Sequence, residues 1–331
     1  MKSPFLTFCR LLSVGAVALL TACDSPQSPY SQPAAYGYPA NPYSSAVNQG
    51  DTVPRAVPVP AYYGQSAAMD VEPMFALATG PDIYAQSYLM LDARTGRHIA
   101  GQNTETPRAV ASTQKIITAL VVLDAGNLDK QVRVSASDVA VEPTRLGLKA
   151  GEVYTRRNLL YAFLIKSAND VANVLARDNA GSISAFAAKM NAKARSLGCT
   201  NSYFVNPHGL TAPGQHSTAR DMARVAMVAY RNNTIRDIVR RKYYPFRLGS
   251  GRSITLENTN ELLGRMPECN GMKTGYTIAS GRCLISTASS GGREVILVQL
   301  GTKTKYIWND ARIMMTWGLQ RLRGGGVAMN W

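Results

Sequence analysis

Ser112 and Lys115 form a pair that could do nucleophilic chemistry. They make the only Ser-x-x-Lys match in the chain. Residues three apart share one face of a helix, with Cβ atoms about 5–6 Å apart, so the lysine amine can reach the serine hydroxyl. A neutral amine can take the hydroxyl proton and leave the serine nucleophilic. The alternative is a solvated helix start, because such pairs also arise by chance.

A second polar segment, Ser167-Ala168-Asn169, stands between two apolar stretches. Ser167 could relay a proton, and Asn169 could hydrogen-bond an amide of a substrate. Serine and asparagine are also the residues favoured where a helix begins, so helix capping is the alternative. Taken alone, the segment favours the capping role.

A third segment, Lys273-Thr274-Gly275, opens a strand predicted over 272–278. Lys273 supplies positive charge, Thr274 can donate a hydrogen bond to a carboxylate, and Gly275 lets another backbone approach closely. The alternative is an exposed strand with a bulged glycine. The chain has three histidines, which show no metal-binding spacing, and no Gly-x-Ser-x-Gly elbow. The sequence therefore favours a lysine-based site without metal or cofactor.

The hydrophobic pattern predicts the helices and strands that must position these segments. Helices are expected over 112–125, 157–166, 170–178, 182–197, 219–231 and 307–322. Strands are expected over 87–91, 96–100, 272–278, 283–289 and 293–301. The helices lie between the early and the late strands, and no alternating βαβ rhythm is present. This order predicts one α+β domain, an antiparallel sheet flanked by helices with an all-helical subregion.

The first residues predict export and a lipid anchor. Residues 1–22 resemble a lipoprotein signal peptide, because their apolar run would span about 15 Å, half of a bilayer core. The run ends in Leu20-Thr21-Ala22-Cys23, which resembles a bacterial lipobox with Cys23 as the lipidated residue. An ordinary signal with a chance cysteine is the alternative. Residues 23–74 are rich in Pro, Tyr and Ser and predict a disordered tether, followed by a catalytic domain over 75–331.

The charge of the chain has more than one interpretation. The formal net charge is +15, with 46% hydrophobic residues, which excludes a wholly disordered chain. Because the basic residues belong to an exported domain, nucleic acid is not expected as a partner. Anionic wall polymers or lipid headgroups are the natural counter-charges, and a diffusely charged soluble surface is the alternative.

The three segments together, in this order, resemble the serine penicillin-recognising enzymes. Flanking segments narrow the resemblance to low-molecular-mass D-alanyl-D-alanine carboxypeptidases (serine peptidase family S11) and their endopeptidase relatives. These segments cover residues 119–124, 146–151, 204–210 and 217–222. The resemblance spans about residues 80–320 and implies the serine β-lactamase/DD-peptidase type of fold.

The resemblance also implies a mechanism. Ser112 would attack the carbonyl between two D-alanines of a peptidoglycan stem peptide, and Lys115 would take its proton. For this the pKa of Lys115 would have to fall, and both burial and the nearby charge of Lys273 act in that direction. Ser167 would pass a proton to the leaving amine. Water would release the acyl group, and β-lactams would acylate the same serine as covalent inhibitors.

The remaining carried-over roles concern binding of the substrate. Backbone N–H groups of Ser112 and Tyr276 would hold the oxyanion, and Lys273 and Thr274 would hold the terminal carboxylate. His208 belongs to a structural turn and receives no catalytic role. Gln114 stands where this family usually has threonine, which leaves substrate preference open. Too few residues follow Gly275 for the β-rich C-terminal domain of many such enzymes.

Three other functions remain open at this stage. A DD-endopeptidase cleaving peptidoglycan cross-links would use the same groups. A β-lactamase shares the three segments, but none of the glutamates between Asn169 and Lys273 has a recognisable deacylating spacing. A non-catalytic lipoprotein that binds wall peptides is the third. The carboxypeptidase would act in cell-wall remodelling in the bacterial envelope, facing the periplasm, and Asp24 resembles an inner-membrane retention signal.

Three cysteines would remain in the oxidising compartment, namely Cys199, Cys269 and Cys283. A hairpin turn centred on residue 280 would set Cys283 opposite residue 277 and Cys269 opposite residue 291. This register disfavours a Cys269–Cys283 bridge, although Cys199 could pair with either. Buried free thiols are expected.

Overall fold

The computed structural model describes residues 80–323. The predicted signal peptide (1–22) and tether (23–74), with Cys23, lie outside the described residues. The described part falls within the catalytic domain predicted over 75–331. Among these residues, no helix combines the length and apolar composition needed to cross a bilayer.

An antiparallel sheet of five strands forms the centre of the fold. The strands of the chain are β1 (Ser87–Asp92), β2 (His98–Gln102), β3 (Gln131–Arg133), β4 (Val153–Thr155), β5 (Tyr243–Arg247), β6 (Ser253–Glu257), β7 (Cys269–Thr277), β8 (Gly281–Ser290) and β9 (Arg293–Thr302). The main sheet has the order β2-β1-β9-β8-β7, whereas β3-β4 and β5-β6 form two small sheets. The early hairpin thus pairs with the late meander through β1 and β9, as expected from the strands at both ends of the sequence.

Helices cover both faces of this sheet. They are α1 (Lys115–Asp124), α2 (Arg156–Lys166), α3 (Asn169–Ala180), α4 (Ile183–Ser196), α5 (Ala219–Arg231), α6 (Asn233–Val239) and α7 (Ile307–Arg323). Alternate residues of β9 explain the two layers, because successive side chains of a strand point to opposite faces. Ile296 and Val298 belong to the core shared with α1–α6, and Val295 and Leu297 belong to the core under α7.

The helix predicted over 112–125 is divided in two. Ala111–Gln114 forms a 3₁₀ turn, and α1 begins only at Lys115. The cause is tertiary, because the backbone of this turn is enclosed by Gly209 on one side and Gly275 on the other. The helices α2 to α5 and α7 match the remaining predictions to within two residues at each end, whereas α6 was not predicted.

The register expected for the β7–β8 hairpin is wrong by two residues near the turn and by three at Cys269. Cys283 faces Gly275 instead of residue 277, and Cys269 faces Ala288 instead of residue 291. The turn is tighter than expected because Thr277 and Ser280 close it with reciprocal bonds, each backbone N–H donating to the other's hydroxyl at 3.0 Å. A bulge next to Cys269 displaces the far end of the hairpin.

The three cysteines of the described residues are buried free thiols, as expected. Burial raises the pKa of Cys199 to about 12 and that of Cys283 to about 11. Burial also raises the pKa of Cys269. These thiols therefore stay protonated and pack as small apolar side chains.

Candidate active site

Ser112 and Lys115 lie in contact at the start of α1. Lys115 Nζ is 2.8 Å from Ser112 Oγ, the contact that their spacing predicts. The lysine is completely buried because α1 is packed on nearly all sides. Ser112 stands in the 3₁₀ turn just before the helix, which holds its hydroxyl over the lysine.

A loop carbonyl that sequence reasoning did not single out completes this contact. The backbone oxygen of His208 accepts hydrogen bonds from Lys115 Nζ and from Ser112 Oγ, the latter at 3.3 Å. The loop can approach so closely because the next residue is glycine: a Cβ at Gly209 would lie 2.1 Å from the oxygen of Ala111. Gly209 also has a φ of +89°, which side chains rarely allow. The glycine was the signal in the sequence that could have indicated this approach.

The imidazole of His208 takes no part in the contact. Its Nδ1 accepts the backbone N–H of Leu210 at 3.2 Å, so this nitrogen carries no proton. Burial, and then the charge of Lys115, lower the pKa of His208 to about 3. The ring is therefore neutral, and it is part of a turn, in agreement with the role inferred from the resemblance.

Asn169 accepts a further hydrogen bond from Lys115. Its Oδ1 accepts from Lys115 Nζ at 2.8 Å, and its Nδ2 donates to the oxygen of Pro143. Its backbone N–H donates to Thr144 at 2.8 Å. Both polar atoms of the side chain are thus engaged within the protein, which indicates that Asn169 positions Lys115.

Ser167 is not brought into hydrogen-bond contact with Ser112 or Lys115 within residues 80–323. It ends α2 in a left-handed conformation with φ +65°, and Ala168, not Ser167, takes the N-cap position of α3. The capping role considered for Ser167 is therefore wrong. The chain changes direction at Ser167, and Asn169, two residues later, lies next to Lys115.

The strand β7 packs against the turn that carries Ser112 and forms one wall of the site. A Cβ at Gly275 would lie 2.9 Å from the backbone nitrogen of Ser112 and 3.0 Å from that of Thr113. A side chain here would therefore push the strand away from the serine. Thr274 shares a hydrogen bond of 2.7 Å with the hydroxyl of Thr259, and Tyr276 is half exposed beyond it.

Lys273 is the second buried lysine of the site. It is 1% exposed, and its Nζ donates to the oxygen of Thr274 at 2.9 Å. Burial lowers the pKa of Lys273 to about 7. Burial also lowers the pKa of Lys115 far below its usual range, and the charge of Lys273 lowers it further. Both effects favour the neutral amine of Lys115, which is the form that can accept a proton.

Gln114 replaces the threonine expected from the resemblance and supports the same loop. Its Nε2 donates to the backbone oxygen of Asn206. Gln215 Oε1 accepts the backbone N–H groups of Val205 and Asn206 at 3.0 and 3.1 Å. These amide side chains hold the loop that carries the His208 carbonyl, and the sequence alone did not indicate them.

Comparison with known proteins agrees with this geometry. Residues 74–304 match the model of the D-alanyl-D-alanine carboxypeptidase family, peptidase family S11. The chain belongs to this family. A D-alanyl-D-alanine carboxypeptidase of Mycobacterium tuberculosis is 34% identical over 258 residues, which cover 76% of this chain and 88% of the relative. A D-alanyl-D-alanine endopeptidase of Escherichia coli is 33% identical over 251 residues, which cover 72% of this chain and 79% of the relative.

Solved structures share the fold as well. The crystal structure of a D-alanyl-D-alanine carboxypeptidase from Mycobacterium tuberculosis has a TM-score of 0.70 and 33% identity, and covers 74% of this chain and 94% of that chain. The Streptomyces K15 DD-transpeptidase has a TM-score of 0.69 and 31% identity, and covers 73% of this chain and all of that one. The predicted fold class, an antiparallel sheet flanked by helices in the DD-peptidase arrangement, is confirmed.

Proposed function

We propose that this protein is a serine D-alanyl-D-alanine carboxypeptidase that acts on peptidoglycan stem peptides through an acyl-enzyme on Ser112. The observation that carries the proposal is the 2.8 Å contact between Ser112 Oγ and the buried amine of Lys115. A lysine that keeps its proton could not accept one from serine. Burial and the charge of the neighbouring Lys273 lower the pKa of Lys115, which favours its neutral form and supports its role as the general base.

Acylation begins with attack of Ser112 Oγ on the carbonyl between the two D-alanines. The new C–O bond forms as the hydroxyl proton moves to Lys115 Nζ. The negative charge on the carbonyl oxygen is received by the backbone N–H groups of Ser112 and Tyr276, and the close approach of Gly275 to Ser112 supports this pair. The C–N bond then breaks, and the proton held by Lys115 passes to the leaving amine, by way of the Ser167 hydroxyl once bound substrate brings these groups within hydrogen-bond reach.

Lys273 and Thr274 hold the terminal carboxylate of the substrate. With a pKa of about 7, Lys273 gains its proton readily when a carboxylate enters, because an opposite charge favours the charged amine. Asn169 keeps Lys115 directed at Ser112 through its Oδ1. Water then attacks the acyl carbon, its proton returns through Lys115 to Ser112, and the shortened peptide leaves.

A DD-endopeptidase that cleaves peptidoglycan cross-links is the second candidate. It is supported by the similarity to the Escherichia coli endopeptidase, which is 33% identical to this chain. The acylation chemistry on Ser112 is the same for both, and they differ in the amine that leaves.

Three measurements test these proposals. Fluorescent penicillin should label the wild type and the control Ser250→Ala, an exposed serine, but not Ser112→Ala. Label that persists in Ser112→Ala would refute the acyl-enzyme. Digestion of purified muropeptides should then release free D-alanine. Separation of cross-linked dimers without free D-alanine would favour the endopeptidase, and hydrolysis of nitrocefin faster than that of a D-Ala-D-Ala peptide would favour a β-lactamase.

The protein is further proposed to be a lipoprotein of the bacterial envelope that faces the periplasm, anchored through Cys23 and released from a signal peptide over 1–22. The lipobox Leu20-Thr21-Ala22-Cys23 supports this, and Asp24 favours the inner membrane. Two or more acyl chains suffice for stable anchoring. Radiolabelled palmitate should enter the wild type and not Cys23→Ser. Equal incorporation into both would exclude this anchor.

A further inference from the structure

Five arginines gather at one end of the main sheet, where four segments meet. These segments are the β1–β2 turn, the end of α5, the β8–β9 turn and the end of α7. The arginines, called here the arginine cluster, are Arg94, Arg97, Arg231, Arg293 and Arg323. All are exposed except Arg293, which is partly buried.

Hydrogen bonds to neutral groups hold the cluster together. Arg94 Nη1 donates to the oxygen of Gly292 at 3.2 Å, and Arg231 Nη2 donates to the oxygen of Arg94 at 3.2 Å. Arg293 Nε donates to the oxygen of Leu322 at 3.1 Å. Arg323 Nη2 donates to the hydroxyl of Ser290 at 3.0 Å. Four of the five guanidinium groups are thus held by hydrogen bonds to uncharged groups, and these bonds leave their charges uncompensated.

Acidic side chains do not neutralise this charge. Within residues 80–323, no arginine of the cluster forms an ion pair. The neighbouring Glu294 is engaged by Arg236 at 3.6 Å and by the hydroxyl of Tyr230 at 3.3 Å. Asp92 is a second carboxylate beside the cluster, and its Oδ1 accepts the backbone N–H of Arg94 at 2.9 Å.

A cavity of about 470 Å³ lies among these residues, and Arg94, Arg97 and Arg293 line it together with Leu322. Several guanidinium groups around one open cavity suit phosphate, because each can donate two parallel hydrogen bonds to an oxyanion. In the same helix as Leu322, Arg321 lies over the ring of Trp317 at 5.5 Å. Tryptophan and arginine side by side are typical of surfaces that meet lipid headgroups.

We infer that the arginine cluster binds the phosphate groups of an anionic membrane surface. The charge of the whole described part favours such a partner, because residues 80–323 hold 33 of the 36 Lys and Arg but only 17 of the 21 Asp and Glu. The inference rests on the proposed function, since the proposed lipid anchor is what keeps the domain within reach of headgroups. Each arginine near an anionic surface strengthens binding about fivefold.

Binding at the cluster leaves the catalytic groups uncovered. Lys273 pairs with Ile285, and Ile285 pairs with Val298 of β9. Arg293 stands five residues before Val298 on the same strand, which is about 17 Å at 3.3–3.4 Å per residue. Membrane contact through the cluster would therefore hold the domain while Ser112 stays open to wall peptides.

Vesicle sedimentation tests the inference with the full chain carrying Cys23→Ser, so that no acyl chain contributes. The measured quantity is the ratio of partition coefficients for vesicles with phosphatidylglycerol and for vesicles of phosphatidylcholine alone. The test variant combines Arg94→Gln, Arg97→Gln and Arg323→Gln. Because each arginine contributes about fivefold, the three substitutions together should lower this ratio about 100-fold.

The matched control combines Arg195→Gln, Arg247→Gln and Arg252→Gln, which removes the same charge from exposed arginines outside the cluster. It should keep most of the preference for anionic vesicles. Equal loss in both variants, or no preference in the wild type, would overturn the inference. Cluster-dependent binding to soluble polyphosphate without binding to vesicles would overturn the membrane assignment. Penicillin labelling in solution should be unchanged in both variants, and its absence from the wild type would count against the proposed function alone.

Discussion

Replacing Lys273 with methionine should stabilise the fold at neutral pH while it removes activity. Lys273 is 1% exposed, and burial lowers its pKa from 10.5 to about 7. Each unit of pKa difference between the folded and unfolded chain corresponds to about 1.36 kcal/mol. At pH 7 the buried amine therefore costs about 4 kcal/mol of folding free energy. Methionine fills a similar volume without charge.

One interaction is lost in the exchange. The hydrogen bond from Lys273 Nζ to the oxygen of Thr274 is 2.9 Å long, and such a bond contributes about 1 kcal/mol. The variant should therefore gain about 3 kcal/mol in its free energy of unfolding at pH 7. Activity should fall because the carboxylate of the substrate loses its positive partner.

The dependence on pH has a definite sign. Between pH 7 and about 10.5 the unfolded chain holds a proton on Lys273 that the folded protein has released. Unfolding then takes up protons, so the stability of the wild type rises with pH over this range. The cost of the lysine falls to about 2 kcal/mol at pH 9, and the advantage of the variant falls to about 1 kcal/mol.

Equilibrium unfolding in urea, followed by circular dichroism at pH 7 and pH 9, measures both effects. Lys303→Met, at an exposed lysine, is the matched control and should change stability by less than about 0.5 kcal/mol. The reasoning would be refuted by a Lys273→Met variant that is less stable than the wild type at pH 7. It would also be refuted by a difference that does not change with pH.

Three further predictions concern the groups around the serine. Asn169→Asp should raise the pKa of Lys115, whose Nζ lies 2.8 Å from Oδ1 of the side chain that becomes a carboxylate, and slow penicillin labelling about 10–1000-fold at neutral pH. The labelling rate should recover as the pH rises, and a uniform loss at all pH values would contradict this. Gly209→Ala should cost about 2–4 kcal/mol in urea unfolding, because its Cβ would meet the oxygen of Ala111 at 2.1 Å. The three described cysteines should not react with Ellman's reagent near pH 8 before denaturation, and rapid reaction of the native protein would argue against their burial.

Local patterns predicted most of the helices and strands. The helix over 219–231 has the predicted bounds, because Thr218 accepts the backbone N–H of Asp221 and caps it as expected. The Ser112–Lys115 contact also follows from local geometry, since helical periodicity alone brings residues three apart together. The division of the predicted helix 112–125 did not follow, because its cause is the packing of distant glycines against the turn.

The pairing of β7 with β8 was likewise predictable only in part. The strands on both sides of residue 280 were readable as apolar runs, but the exact pairing depended on side-chain bonds between Thr277 and Ser280. A bulge then shifted the pairing at Cys269. Neither feature leaves a mark in the hydrophobic pattern, which has a period of two and is insensitive to a shift by two residues.

The amino-acid sequence by itself determined the chemical groups of the site, their order along the chain and the elements that carry them. Only the tertiary structure decided that the carbonyl of His208 joins Ser112 and Lys115, and that Asn169 contacts the lysine amine. It also decided that both lysines lose their water, which lowers their pKa values. The physical reason is range: helical spacing and capping act over a few residues, whereas desolvation and close backbone approach depend on segments that meet only after folding.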